Sequence, residues 1–218
     1  MWRKPLNFQT CKQEEMANVK VIDIFNESQQ SKTLHKNNIN KLTTLYNSNN
    51  SSSSSFNNKE NNKKNSKNIT AEKNHIEKEK ILHFITNCYD QILFTTKNGV
   101  AINNVIQFYS QFLQKNINNE VLFTENMNYL LNRSESLNKT VRFRSCQTIS
   151  TIFNLINENE DIEIDVQLWE SISSKLVIRL KDKCPTVRFW AVHALKNFQK
   201  PQEMNDDQII AEYLRLLD

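Results

Sequence analysis

The sequence has one glycine, Gly99, and three prolines, Pro5, Pro185 and Pro201, in 218 residues. So few turn formers exclude an all-β sandwich and a doubly wound sheet with Gly-rich crossovers, leaving helices joined by short polar turns. Cysteine is sparse as well: Cys11, Cys88, Cys146 and Cys184 stand far apart, with no C-x-x-C pair and no histidine at ligand spacing. Isolated cysteines mostly pack as small apolar side chains, so reduced structural thiols are expected rather than a zinc or redox centre. His35, His75, His83 and His193 are equally scattered, and no metal site or cofactor is expected. A single glycine leaves no Gly-rich loop to cradle phosphates, and no motif marks a catalytic constellation, so neither an enzyme nor a small-molecule substrate is expected. No apolar run reaches the roughly 20 residues of a membrane span. The first residues, "MWRKPLNFQTCKQEEMANVK", lack the central hydrophobic stretch of a secretory signal. An intracellular protein without a membrane partner is expected.

What is present is polar and unevenly charged. The net charge is only +4, but Glu158, Glu160, Asp161, Glu163, Asp165 and Glu170 form one acidic connector. From Lys175 to Lys200 the chain carries Lys175, Arg179, Lys181, Lys183, Arg188, Lys196 and Lys200 against Asp182 alone. Such blocks are either solvated helix faces or the footprint of a polyanionic partner. Between Asn47 and Asn68 the sequence reads "NSNNSSSSSFNNKENNKKNSKN", with almost no apolar side chain to offset the entropy of ordering it. The expected organisation is therefore an N-terminal arm and first helices over 1–46, a disordered Asn/Ser/Lys-rich insertion over 47–75, and a helical domain over 76–218.

That domain contains a repeat. "TVRFRSCQTIS" (Thr140 to Ser150) and "TVRFWAVHALKNF" (Thr186 to Phe198) open with the same tetrapeptide, forty-six positions apart. A period of about 40–47 residues is that of two-helix HEAT and armadillo repeats. The apolar face recurs with the tetrapeptide: Val141, Ser145, Ile149, Ile152 and Ile156 in the first copy, Val187, Ala191, Leu195 and Phe198 in the second. Between them Val166 to Leu180 reads as an outer helix with the stripe Leu168, Ile172, Leu176 and Asp165 as its N-cap. Pro185 suits the first turn of the next inner helix. Upstream, Val21 to Tyr46 is compatible with one or two helices. Glu77 to Phe94 and the stripe from Val105 to Leu113 form a predicted helical hairpin around the Lys97-Asn98-Gly99 turn. At the end, "RLLD" (Arg215 to Asp218) echoes "RLKD" (Arg179 to Asp182), and a repeat unit relies on its neighbours to cover its apolar face. The fold class is thus an all-α α-α superhelix, a HEAT/armadillo-type solenoid, expected to be the N-terminal piece of a longer one.

Two stretches, "VRFRSCQTIS" (Val141 to Ser150) and "LVIRLKDKCPTVRFWAVHALKNFQKPQ" (Leu176 to Gln202), resemble the N-terminal HEAT repeats of the condensin G-subunit family. "IFNESQQS" (Ile24 to Ser31) resembles that family's first helix, and "HFITNCYDQILF" with "VIQFYSQFLQ" its next hairpin. The resemblance covers most of the chain outside Asn47 to His75, departing where Cys184 replaces the family's usual aliphatic. It implies a non-enzymatic regulatory subunit of condensin that binds a kleisin and, with it, holds double-stranded DNA in a positively charged groove for mitotic chromosome condensation. SMC subunits, which carry the ATP hydrolysis, would be indirect partners. The implied location is the nucleus and mitotic chromosomes, with a cytoplasmic pool.

The candidate DNA-binding residues are Lys139, Arg142, Arg144, Arg179, Lys181, Lys183 and Arg188. Lys139, Arg144, Lys181 and Lys183 fall at or near predicted turns, where a phosphate can reach them. Arg142 and Arg188 suit either phosphate contact or a ladder inside the repeat stack. Asp182, six residues before Arg188, is placed to meet a guanidinium of its own or the adjoining repeat, with Ser136 making a weaker rung in the first copy. Trp169 and Trp190 are expected to pack between helices rather than to stack on bases. The alternative is a HEAT adaptor for transport or signalling, whose basic block meets acidic peptides.

Overall fold

The structure, a computed structural model, describes residues 16–48, 65–157, 164–199 and 207–215. All regular elements among them are helical. The chain divides into two compact units, Met1–Tyr89 and Asp90–Asp218.

In the first unit α1 (Met16–Gln30) and α2 (His35–Ser48) pack together through a 3-10 turn, Lys32–Leu34. Val21, Ile24 and Phe25 of α1 and Ile39, Leu42 and Tyr46 of α2 are buried. Each large apolar side chain so enclosed contributes roughly 1.5–3 kcal/mol. Asn38 Nδ2 donates to Ser28 Oγ at 3.0 Å, supplying a buried amide with a partner inside the apolar pair. α3 spans Asn65–Leu93. It begins well before the expected Glu77, so residues 65–75, assigned above to the insertion, are helical. Asn47 and Ser48 likewise end α2, and the remaining insertion residues, 49–64, lie outside the described residues. The reason is propagation: no glycine or proline stands between Asn65 and Leu93, and adding a residue to an existing helix is far easier than starting one.

The second unit is an αα-solenoid of α4 (Val100–Lys115), α5 (Glu120–Ser134), α6 (Lys139–Asn157), α7 (Val166–Leu180), α8 (Pro185–Leu195) and α9 (Asp207–Arg215). α6 packs between α4 and α8 in one layer, while α5 meets α7 and α7 meets α9 in the other. The pairs α4–α5, α5–α6 and α7–α8 join the layers. The two TVRF helices, α6 and α8, therefore lie side by side as successive rungs. Every residue of the two recurrent faces is buried, from Val141 to Ile156 and from Val187 to Phe198. Caps set the helix starts. Asn119 Oδ1 accepts from Leu122 N–H at 3.2 Å and Asp165 Oδ1 from Leu168 N–H at 2.9 Å, and Pro185 opens α8. Trp169 lies against Phe153 and Phe198, with ring centroids 5.7 and 4.2 Å away, locking α7 to α6 and to the 3-10 turn Lys196–Phe198. Trp190 meets Phe189 edge to face at 5.3 Å. Cys88 and Cys146 are buried and in no disulfide, and burial pushes the Cys146 thiol up to about 12. Cys11, most of the acidic connector and Leu216 to Asp218 lie outside the described residues.

Candidate nucleic-acid interface

The turns before α4, α6 and α8 meet at one end of the solenoid, and arginines on α6 bring them there. Arg142, one turn into α6, donates through Nη1 to the carbonyls of Ser136 and Leu137 at 2.9 and 3.0 Å. Its Nε and Nη2 reach the Asp182 carboxylate in the following turn at 2.7 and 2.9 Å. Arg188, forty-six residues later, repeats the local half of this arrangement: Nη1 donates to Asp182 O at 2.8 Å and Lys183 O at 3.4 Å. Of the two partners expected for Asp182, an arginine of its own repeat or of the adjoining one, the structure pairs it with the second. Asp182 joins the arginine of the preceding repeat, because Arg188 points back at its own turn's carbonyls. Arg179, three residues before Asp182, comes within 3.5 Å of the same carboxylate and donates to Ser134 O at 3.2 Å.

Asp182 is thus a hub, its side chain 4% exposed. Burial works against its charge, but the hydrogen bond from Arg142 and the N–H of Cys184 outweigh it and hold the carboxyl below its ordinary value. The same bond holds Arg142 above the usual guanidinium value. Planar, two-pronged pairing of this kind suits arginine and not lysine.

Arg144 departs most from the sequence expectation. Instead of facing a phosphate it is wholly buried. Its Nε donates to Thr95 O at 3.2 Å, and its Nη2 donates to Lys97 O at 3.0 Å and to Asn98 Oδ1 at 2.8 Å. Nη1 reaches Gln147 Oε1 at 2.8 Å, and the guanidinium lies over the Phe143 ring, 4.4 Å from its centroid. A cation with every face engaged has nothing left for a phosphate, so Arg144 is a clamp on the turn before α4. The sequence could not reveal this, since the carbonyls it binds lie forty-seven to forty-nine residues away. A comparable tie joins α5 to the end of α3. Tyr129 O–H donates to Asp90 at 2.6 Å and Arg133 pairs with the same carboxylate. Burial, with Tyr109 and Asp90 nearby, pushes the Tyr129 phenol far above its ordinary value.

With these arginines occupied, the exposed positive charge of this rim belongs to lysine. Lys139 and Lys183 are exposed and form no ion pair among the described residues, and Lys97, not foreseen as a site residue, stands exposed in the third turn. Its signal was present as the lysine of Lys97-Asn98-Gly99, which reads first as a turn. Lys181 is exposed but reaches Glu212 of α9 at 2.8 Å, and this bond holds the Glu212 carboxyl below its ordinary value. Of the seven candidates, then, the fold leaves Lys139, Lys181 and Lys183 open to solvent and engages Arg142, Arg144, Arg179 and Arg188 in holding turns. Among the described residues no group of His, Cys, Asp or Glu side chains could hold a metal ion, and no helix is long and apolar enough to cross a membrane.

No family model matches the chain. Condensin complex subunit 3 of Xenopus laevis is 32% identical over 162 residues, covering 69% of this chain and 15% of that protein. The human protein of the same name is 28% identical over 159 residues, 68% of this chain and 15% of its own length. Among solved structures, the crystal structure of the S. pombe condensin Cnd3–Cnd2 subcomplex matches 89% of this chain and 23% of the compared one, with a TM-score of 0.58 at 22% identity. The fold is shared, and the aligned part is about 15% of the curated proteins' length. By sequence this chain is a relative of condensin complex subunit 3.

Proposed function

We propose that this chain is part of a non-SMC regulatory subunit of condensin, a non-enzymatic scaffold that binds a kleisin segment and holds double-stranded DNA for mitotic chromosome condensation. The observation that carries the DNA part is the division of labour at the rim. Arginines bind carbonyls and Asp182, and Lys97 and Lys183 in their turns and Lys139 at the start of α6 are left exposed. Ammonium groups on long, mobile stems suit phosphates at varying positions, which fits contacts that ignore base sequence. The kleisin part is supported by the similarity to condensin complex subunit 3 and by the two-subunit composition of the matching S. pombe assembly. Such a protein acts in the nucleus and on mitotic chromosomes, alongside SMC subunits that it meets through the kleisin.

The test is a titration of nonspecific duplex DNA at several salt concentrations, with and without a kleisin segment. Each phosphate neutralised releases counterions, so log K should fall linearly with log salt at about 0.9 per contact. No binding at low salt under either condition would sink the DNA reading.

A further inference from the structure

The inner layer is one-sided in charge. α4, α6 and α8 contain no aspartate or glutamate, whereas the outer helices carry Glu120 and Glu125 in α5, Glu170 in α7 and Asp207 and Glu212 in α9. On that layer Phe189 of α8 takes the place that Phe143 has on α6, forty-six residues earlier. The flat guanidinium of Arg144 covers the Phe143 ring, 4.4 Å from its centroid. On α8 that arginine is replaced by Trp190, which stands nearly at right angles to the Phe189 ring, 85° at 5.3 Å, while His193 lies against the same ring at 4.4 Å. Phe189 is braced by these neighbours yet remains 53% exposed, and among the described residues no cation covers its ring. One rung closes its ring with a planar cation; the next leaves the matching ring open.

We propose that Phe189 is a stacking platform for an unpaired nucleotide base, so that the inner layer takes single-stranded nucleic acid as well as duplex. Lysines flank the ring. Lys183 precedes α8, Lys196 follows it two turns along the Phe189 face, and Lys139 opens the neighbouring α6; all three are exposed. An exposed aromatic face within a lysine-bearing, carboxylate-free surface matches a partner that carries flat rings and phosphates together. A duplex keeps its base faces inside its own stack and would use the lysines only, leaving Phe189 idle. An unpaired strand offers both: its phosphates meet the ammonium groups, and one base lies on the ring as Arg144 lies on Phe143. A carboxylate-rich peptide would answer the lysines alone. The inference deepens the DNA reading, on which it rests for the phosphate contacts; the base contact is its own.

The experiment titrates the full chain at low salt, by fluorescence anisotropy, with a labelled oligothymidylate strand, an abasic strand of the same length and a duplex. The parent should bind the base-bearing strand at least about fivefold more tightly than the abasic one. Phe189→Leu, which keeps apolar bulk without the ring, should erase that preference while leaving duplex affinity within about twofold, and Phe189→Tyr should retain it. Equal affinity of the parent for the two strands, or an undiminished preference in Phe189→Leu, overturns the platform. Polyglutamate of matched charge should compete no better than the abasic strand; competition equal to that of oligothymidylate would assign the surface to an acidic peptide instead. Binding of duplex but of no single strand sinks this inference and spares the DNA reading. Base-dependent binding of the single strand without any binding of duplex sinks the duplex reading and leaves this one standing.

Discussion

Arg142 and Arg188 grip their own turns in the same way, yet among the described residues Arg142 alone adds a carboxylate from the next repeat. The energetic weight of the rim therefore sits on the Arg142–Asp182 pair. Asp182→Asn leaves two guanidinium groups facing a neutral amide in a nearly closed site, and should cost about 3 kcal/mol. With Tm moving about 2–4 °C per kcal/mol in a chain of this size, a loss of several degrees at pH 7 should appear in a melting scan. The pH dependence has a definite sign. Asp182 has a lowered folded-state value, so its contribution is complete above the ordinary carboxylate value of about 3.9 and disappears as pH falls through the lower folded value. The gap in Tm between parent and Asp182→Asn should hold from pH 7 to about 5 and narrow as pH falls below the ordinary carboxylate value. Arg144→Met supplies another contrast: it strips hydrogen bonds from Thr95 O and Lys97 O and should cost about 2–4 kcal/mol. The salt slope of DNA binding by the folded protein should not change, because the residue faces no solvent. A slope reduced by about one would mean that Arg144 reaches phosphate after all.

At the scale of elements, the repeated tetrapeptide is explained by what an inner helix must do. Its valine enters the core between layers, its arginine ties the preceding turn, and its phenylalanine lies toward the rim, half exposed at Phe189. Val187→Asp should place an unpaired charge where the parent side chain is 0% exposed, costing about 3–5 kcal/mol, while Lys183→Ala should leave the melting temperature within a degree or so. Equal melting of Val187→Asp and the parent would contradict the packing of α8 on α6. α7 offers a milder case: Asp165→Ala removes the cap on Leu168 N–H and should destabilise by about 1 kcal/mol. These elements were legible in the sequence because caps, proline and apolar period act within a few residues. The start of α3 was not. Polar composition over Asn65 to His75 argued for disorder, whereas the backbone there continues the helix that follows it.

For the second unit as a whole, stacking converts a charge block in sequence into two populations in space. Arg142, Arg144 and Arg179 reach across the repeat boundary, Arg188 grips its own turn, and Lys97, Lys139 and Lys183 stay outside, so a count of basic residues overstates the charge available to a polyanion. Lys139→Ala with Lys183→Ala should reduce the log–log salt slope of duplex binding by up to about two while leaving the fold intact. An unchanged slope would move the DNA contact elsewhere. The repeat period, the helical class, the buried faces of α6 and α8 and the cap of α7 were determined by sequence alone, since each depends on side-chain spacing along one or two neighbouring helices. Which arginine meets Asp182, that Arg144 closes the turn before α4, and that Lys97 joins Lys139 and Lys183 at one rim were decided only by tertiary structure. Those contacts join residues forty or more positions apart, and linear spacing carries no record of which turn will lie beside which.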